Sequence, residues 1–269
     1  RVQHLRMKIY CLLLDALPWN TSGLPEAAQK HKLEHLHHVT TGMFTTTTLL
    51  SMFSGRLPSD LVPGGVGYLS HNEDRYYDWI KPEAKGGHLF DVLGDAGFEV
   101  RLHHHLDYQL RMLLGYRGDD PLREFQNDPS ARWKHVTLTS PTPSLTDAHV
   151  STTDFEPSLV PFSEYGDALK RDAFYDSEKR YIESLQRETS DGKNLFFFTQ
   201  QQDWHDCWYT RTKGALHGAR ERTVAWLDLW DFSEPDAFFF VFSDHGYQVS
   251  SVVDPKDCLT WALVRDNTR

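Results

Sequence analysis

Four stretches of this chain are rich in strand-forming residues, Lys8–Leu14, residues 98–102, residues 194–199 and Ala237–Phe242, and all but the Phe-Glu-Val-Arg-Leu of 98–102 are apolar without an interior polar break. A fifth candidate covers residues 259–264. A strand with one wet face alternates apolar and polar side chains, whereas a strand covered on both faces does not need to. Continuous runs of this length therefore predict strands of a mostly parallel sheet with helices on both sides. The intervening sequence supplies the helices. Residues 87–96 end at Gly97, a position suited to a left-handed helix terminus. Residues 163–188 place Tyr165, Leu169, Ile182 and Leu185 near one face, and residues 215–230 repeat Leu216, Thr223, Val224, Leu227 and Trp230. Strand and helix in alternation give an α/β fold with a mostly parallel central sheet flanked by helices. Residues 1–269 are read as one such domain. Residues 119–161 are rich in Pro, Ser, Thr and Asp without a period. They are expected to form a long excursion with a short strand around residues 134–138, and are a candidate lid or substrate loop.

Composition removes several classes of function. With 28 Lys+Arg against 38 Asp+Glu the formal charge is −10, and there are no basic runs. Nucleic-acid binding, which needs cations to neutralise phosphates, is not expected. No apolar run reaches about 18 residues, so no membrane span is expected in this chain. The three cysteines, Cys11, Cys207 and Cys258, are far apart and make neither a disulfide framework nor a cysteine-based zinc site. Such usage leans toward a reducing compartment, and no signal-peptide pattern is read near Lys8. A cytoplasmic location is the expectation. The unusual entry in the composition is histidine, with 15 residues, several of them clustered.

In a sheet of this kind ligands bind beyond the carboxyl ends of the strands. The first run ends at Asp15, the Ala237–Phe242 run leads to Asp244-His245-Gly246, and the 194–199 run leads to Asp203-Trp-His205. A lone Asp after a strand is ordinarily a helix cap or turn former. Three buried strands that aim Asp or His at one edge make a cation site instead, with ligands suited to Zn²⁺, Mn²⁺, Mg²⁺ or Ca²⁺. Residues 40–58 form a hydroxyl-rich loop entering a short helix. A hydroxyl at a helix N-terminus sits where the dipole favours an anion, and a metal beside it makes it a nucleophile toward phosphorus or sulfur.

These residues together resemble the alkaline phosphatase and sulfatase superfamily, in the right order and over essentially the whole chain. The nucleophile loop of many members reads roughly Trp-Thr-x-Pro-Ser-x-x-Ser-Leu-Phe-Thr-Gly-x-x-Pro. Here Phe44-Thr45 and Ser51-Met-Phe-Ser54-Gly55-Arg-Leu-Pro58 stand at the same spacing. Counting back from Gly55 gives Thr45 as the nucleophile, with Thr46 as the alternative. Residues 88–98 resemble the helix that ends in Gly-Tyr before the next strand. Asp203-Trp-His205 is similar to the family's Asp-x-His, and Ser243-Asp244-His245-Gly246 to its late motif. The resemblance implies a three-layer sandwich. It also implies a divalent ion held by Asp15, Asp244, His245 and the Thr45 oxygen, and a covalent intermediate on Thr45. His205 would donate to the ester oxygens or assist the leaving group. The implied partner is a small-molecule or conjugated phosphate ester, ahead of a sulfate ester.

The departures from the pattern are specific. Formylglycine sulfatases carry Cys-x-Pro-Ser-Arg, and here those positions read Thr45, Thr47, Thr48 and Leu49. A threonine nucleophile is what phosphodiesterase, phosphomutase and phosphoethanolamine-transferase relatives carry. Two-metal members also need a late His, and residues 247–269 contain none, although residues 259–264 resemble the family's next strand. A second ion is left open, with Asp203, His205, His103 and His105 as candidate ligands or substrate contacts. His103 and His105 would face one way at a strand end and His104 the other. His35, His37 and His38 are expected to be surface or packing residues. Two alternatives stand beside the enzyme reading. One is a catalytically degenerate member that keeps the fold for binding or structure. The other, a dinucleotide-binding domain, is disfavoured because no Gly-x-Gly-x-x-Gly follows the first strand.

Overall fold

The computed structural model describes residues 6–21, 23–39, 45–57, 60, 88–103, 135–139, 168–187, 194–201, 221–244 and 259–268. Among the described residues seven strands form one sheet: β1 (Lys8–Leu14), β2 (Glu34–Val39), β3 (Phe98–His103), β4 (Val136–Thr139), β5 (Asn194–Gln201), β6 (Ala237–Phe242) and β7 (Leu259–Asp266). The helices are α1 (Leu24–Lys30), α2 (Thr45–Ser54), α3 (His88–Asp95) and α4 (Ala168–Arg187), with a further helical stretch at 221–227. The strand order is β2-β7-β6-β1-β5-β3-β4. The pairs β6–β1, β1–β5, β5–β3 and β3–β4 are parallel, while β7 runs antiparallel to both β6 and β2. The mostly parallel α/β architecture expected from the apolar runs is therefore present, with one reversed strand near an edge.

Both faces of the sheet are covered, which is why the central strands β1, β5 and β6 read as nearly unbroken apolar runs. On one face Cys11, Leu13, Phe196, Phe198, Val100, Leu102 and Phe242 pack with Leu49 and Phe53 of α2 and Phe90 and Leu93 of α3. On the other, Tyr10, Leu12, Leu14, Phe197, Phe239 and Val241 pack with Ile182 and Leu185 of α4 and with Trp226, Leu227 and Trp230. Alternation along each strand assigns its residues to one core or the other. Gly97 has φ +78 where α3 ends, the left-handed terminus that the sequence predicts, and Gly55 has φ +67 after α2. Gly55 N–H donates to the Ser51 carbonyl at 2.8 Å and so closes that helix.

Some features lie outside the apolar pattern. α1 follows Gly23 at φ +87 with proline in its first turn, and Lys30 and His31 at its end both donate to Asp228 Oδ1 at 2.7 Å. Partial burial works to raise the Asp228 pKa, but these two hydrogen bonds and charges outweigh it and hold the carboxyl below its ordinary range. β2 is an edge strand whose His35 ring stacks on Trp19 at 3.9 Å, a packing role of the kind expected for it. The 119–161 excursion contributes β4, and the rest of it lies outside the described residues apart from His135. Among the described residues no helix is long and apolar enough to cross a membrane.

Candidate active site at the carboxyl edge of the sheet

β1, β5 and β6 are adjacent and parallel, so their carboxyl ends open on one edge. The last register pair of β1 and β6 is Leu13↔Phe242. Asp15 and Asp244 each lie two residues beyond it, side by side. They also continue the alternation of Cys11 and Leu13 and of Phe240 and Phe242, which places both on the face covered by α2. Asp15 is 1% exposed and Asp244 0%.

The backbone is built to hold this pair. Ala16 adopts φ +51, an unusual conformation for a residue with a Cβ, costing roughly 1 kcal/mol. That turn lets the Ala16 N–H donate to Asp244 Oδ1 at 3.1 Å. The Asp15 N–H donates to the Gln201 carbonyl at 3.1 Å. The Trp261 indole N–H donates to the Leu17 carbonyl at 2.6 Å and pins the following loop under β7. Gln200 lies on the same face as the pair, continuing Phe196 and Phe198 of β5, and its Nε2 donates to Asp15 Oδ2 at 2.5 Å.

α2 approaches this edge with its N-terminus. Its fourth residue, Thr48, is buried, and the Thr48 hydroxyl donates to the Asp244 carbonyl at 3.2 Å. The first residue of the helix is Thr45. The positive end of the helix dipole therefore lies beside the two carboxylates, where an anion is favoured. Two carboxylates withdrawn from water pay a large desolvation cost, and the described hydrogen bonds they accept come from neutral donors, a backbone N–H and an amide. Oxygen ligands of this kind in a dry site fit a divalent cation. Among the described residues no group of three or more His, Cys, Asp or Glu side chains gathers. The described part of the candidate site is thus the Asp15–Asp244 pair with the first turn of α2. His245, Asp203, His205 and His105 lie outside the described residues.

His103 is placed elsewhere. It is 4% exposed at the end of β3, but it stands on the opposite face of the sheet from Asp15 and Asp244. Its ring stacks on Tyr181 of α4 at 4.3 Å, and its Nε2 is 3.5 Å from Glu178 Oε1. The Trp226 indole N–H donates to the other oxygen of Glu178 at 3.5 Å. Alternation relates His103 to His105 but does not say which face is which, and that depends on where α2 packs. Gln200 is the residue that sequence reasoning missed. It follows the 194–199 run in a Gln-Gln-Gln tract and belongs to no motif, and it is buried because β5 continues to Gln201. Cys11 is a buried free thiol on the same face, its pKa pushed up by burial, which makes it a packing residue.

No protein-family model matches this sequence, and no curated protein matches it. Solved structures do. A protein of the alkaline phosphatase superfamily from Vibrio parahaemolyticus superposes with a TM-score of 0.59 at 13% identity, over 98% of this chain and 62% of that one. The integral membrane protein lipooligosaccharide phosphoethanolamine transferase A from Neisseria meningitidis gives 0.53 at 14% identity, over 98% of this chain and 48% of that one. The C-terminal periplasmic domain of phosphoethanolamine transferase EptC from Campylobacter jejuni gives 0.50 at 9% identity, over 97% and 80%. The chain has an alkaline-phosphatase-like α/β fold, and it spans about half to three-fifths of the length of the first two of these structures.

Proposed function

We propose that this chain, built on the fold of the alkaline phosphatase superfamily, is a metal-dependent enzyme that hydrolyses or transfers phosphate esters, with Thr45 as nucleophile. The observation that supports this reading best is the junction at the carboxyl edge. Two buried carboxylates stand side by side, and Thr48, in the first turn of the helix that begins at Thr45, donates to the backbone carbonyl of Asp244. In this reading Asp15, Asp244, His245 and the Thr45 oxygen hold one divalent ion (Zn²⁺, Mn²⁺, Mg²⁺ or Ca²⁺). When bound, the ion lowers the pKa of a neighbouring hydroxyl and offsets the charge of a phosphate.

The chain's own residues account for the rest. The Thr45 hydroxyl gives up its proton to solvent, its oxygen bonds to phosphorus as the ester oxygen leaves in line on the opposite side, and a phosphothreonine results. The N-terminal dipole of α2 favours the anionic group at that position. His205 donates to the ester oxygens or protonates the departing alkoxide. Water releases phosphate from Thr45 in a hydrolase, and an acceptor alcohol takes it in a transferase. The substrate is a small-molecule or conjugated phosphate ester. The phosphoethanolamine transferases among the structural neighbours make an alcohol acceptor a reaction to test beside water.

The test is turnover of p-nitrophenyl phosphate, bis(p-nitrophenyl) phosphate and p-nitrophenyl sulfate with Mn²⁺ or Zn²⁺ added, with mass spectrometry of the quenched enzyme. Phosphate-ester turnover, its loss in Thr45→Ala and a phosphate adduct on Thr45 are expected. Undiminished turnover in Thr45→Ala, or a chain that binds no divalent ion, would defeat the proposal. Turnover of the sulfate alone would replace the substrate class.

A further inference from the structure

We infer that Gln200 is a positioning residue for the Asp15 carboxylate, an inference that rests on reading Asp15 as a cation ligand. Gln200 is 1% exposed and lies on the site face of β5, a central strand paired with β1 on one side and β3 on the other. Its Nε2 donates to Asp15 Oδ2 at 2.5 Å, a charge-assisted contact. Among the described residues no donor reaches its Oε1. The described hydrogen bond of this buried amide is thus spent on Asp15.

The chemistry of the side chain fits the role. An amide N–H fixes one carboxylate oxygen and so sets the plane in which the other lone pairs lie. A neutral donor does this without cancelling the negative charge that attracts a cation. Lysine or arginine at this position would compete with the ion for Asp15, and glutamate would offer no donor to an ionised partner. Ligands oriented in this way by an outer partner hold metal more tightly than unsupported ones. The rigidity of β5 matters as well, because an orienting group is useful only if it is itself held still. Asp244 receives the same service from the Ala16 N–H, so both carboxylates of the pair are oriented by neutral donors.

Isothermal titration with Mn²⁺ tests this on the whole chain, using wild type, Gln200→Leu, Gln200→Met and Gln186→Leu. Thermal unfolding without Mn²⁺ reports whether each variant folds. The Gln200 variants are expected to fold and to bind Mn²⁺ about 10–100-fold more weakly. Gln186→Leu removes an amide at the opposite edge of the sheet, where it donates to Glu234, and is expected to bind as wild type does. Wild-type affinity in both Gln200 variants would overturn the positioning role and leave the cation reading intact. A wild-type chain that binds no Mn²⁺ would overturn both. If neither Gln200 variant folds, the side chain is a structural requirement and the positioning role is overturned.

Discussion

Asp15 and Asp244 set stability against chemistry at the scale of single residues. Two buried carboxylates on adjacent strands repel each other and have lost their hydration, so the pair is retained at a cost to the fold. Asp244→Asn keeps the shape and leaves an oxygen to accept the Ala16 N–H. This variant is expected to unfold at the same temperature or higher without metal, a gain of about 1 kcal/mol. It should also lose most of the stabilisation that Mn²⁺ gives wild type. Thermal denaturation with and without Mn²⁺ checks both parts, and a variant destabilised without metal would contradict the argument. The two aspartates were legible in the sequence because each ends an apolar run. Gln200 was not, because hydrogen bonding across strands depends on register, which no local pattern encodes. The position of His103 was not legible either, since alternation fixes relative faces only.

At the scale of elements, the runs covered on both faces gave themselves away. The predicted bounds of β1 and β6 agree with those observed, and β5 and β7 extend two residues beyond the expected runs. β2 was not predicted as a strand. Its sequence Glu34-His-Leu-His-His-Val39 has no continuous apolar run, because an edge strand paired on one side to β7 does not need one. α1 carried a readable start, glycine then proline then glutamate, in a stretch too short for a helical period to emerge. α3 carries a feature that propensity alone misjudges. Gly94 lies inside the helix, where alanine is ordinarily favoured by about 1 kcal/mol. A Cβ there would come within 2.5 Å of His135 Cε1. That ring cannot simply move aside, because its Nε2–H donates to the Phe90 carbonyl at 2.8 Å and ties β4 to α3. Gly94→Ala is therefore expected to destabilise the protein by about 1–3 kcal/mol, the cost of overpacking. Combining it with His135→Ala should recover part of the loss in a double-mutant cycle. A stabilised single variant in urea denaturation would show that the ring yields freely.

Across the whole molecule the two edges of the sheet have separate duties. The carboxyl edge carries Asp15, Asp244 and the N-terminus of α2. The amino edge is closed by a scaffold of hydrogen bonds. Lys8 Nζ donates to Glu234 Oε1 at 2.5 Å and to the Gln186 carbonyl at 3.0 Å, and Asn267 Nδ2 donates to the carbonyls of Phe232 and Glu234, each at 2.9 Å. The alternating strand and helix pattern implied this polarity of the sheet. The network itself joins residues far apart in sequence and could not be read there. Lys8 and Glu234 have side chains only 14% and 9% exposed, so removing one partner strands the other charge out of water. Lys8→Met is expected to cost about 3 kcal/mol in urea denaturation. Lys8→Met combined with Glu234→Leu should recover much of that, since an apolar pair of similar volume replaces a buried ion pair at little cost. Lys8 stands seven residues before Asp15, about 23 Å along an extended strand. Neither variant should change Mn²⁺ affinity once the folded fraction is accounted for. A change in affinity would mean that β1 transmits strain from one edge to the other, and the separation of scaffold from site would fail.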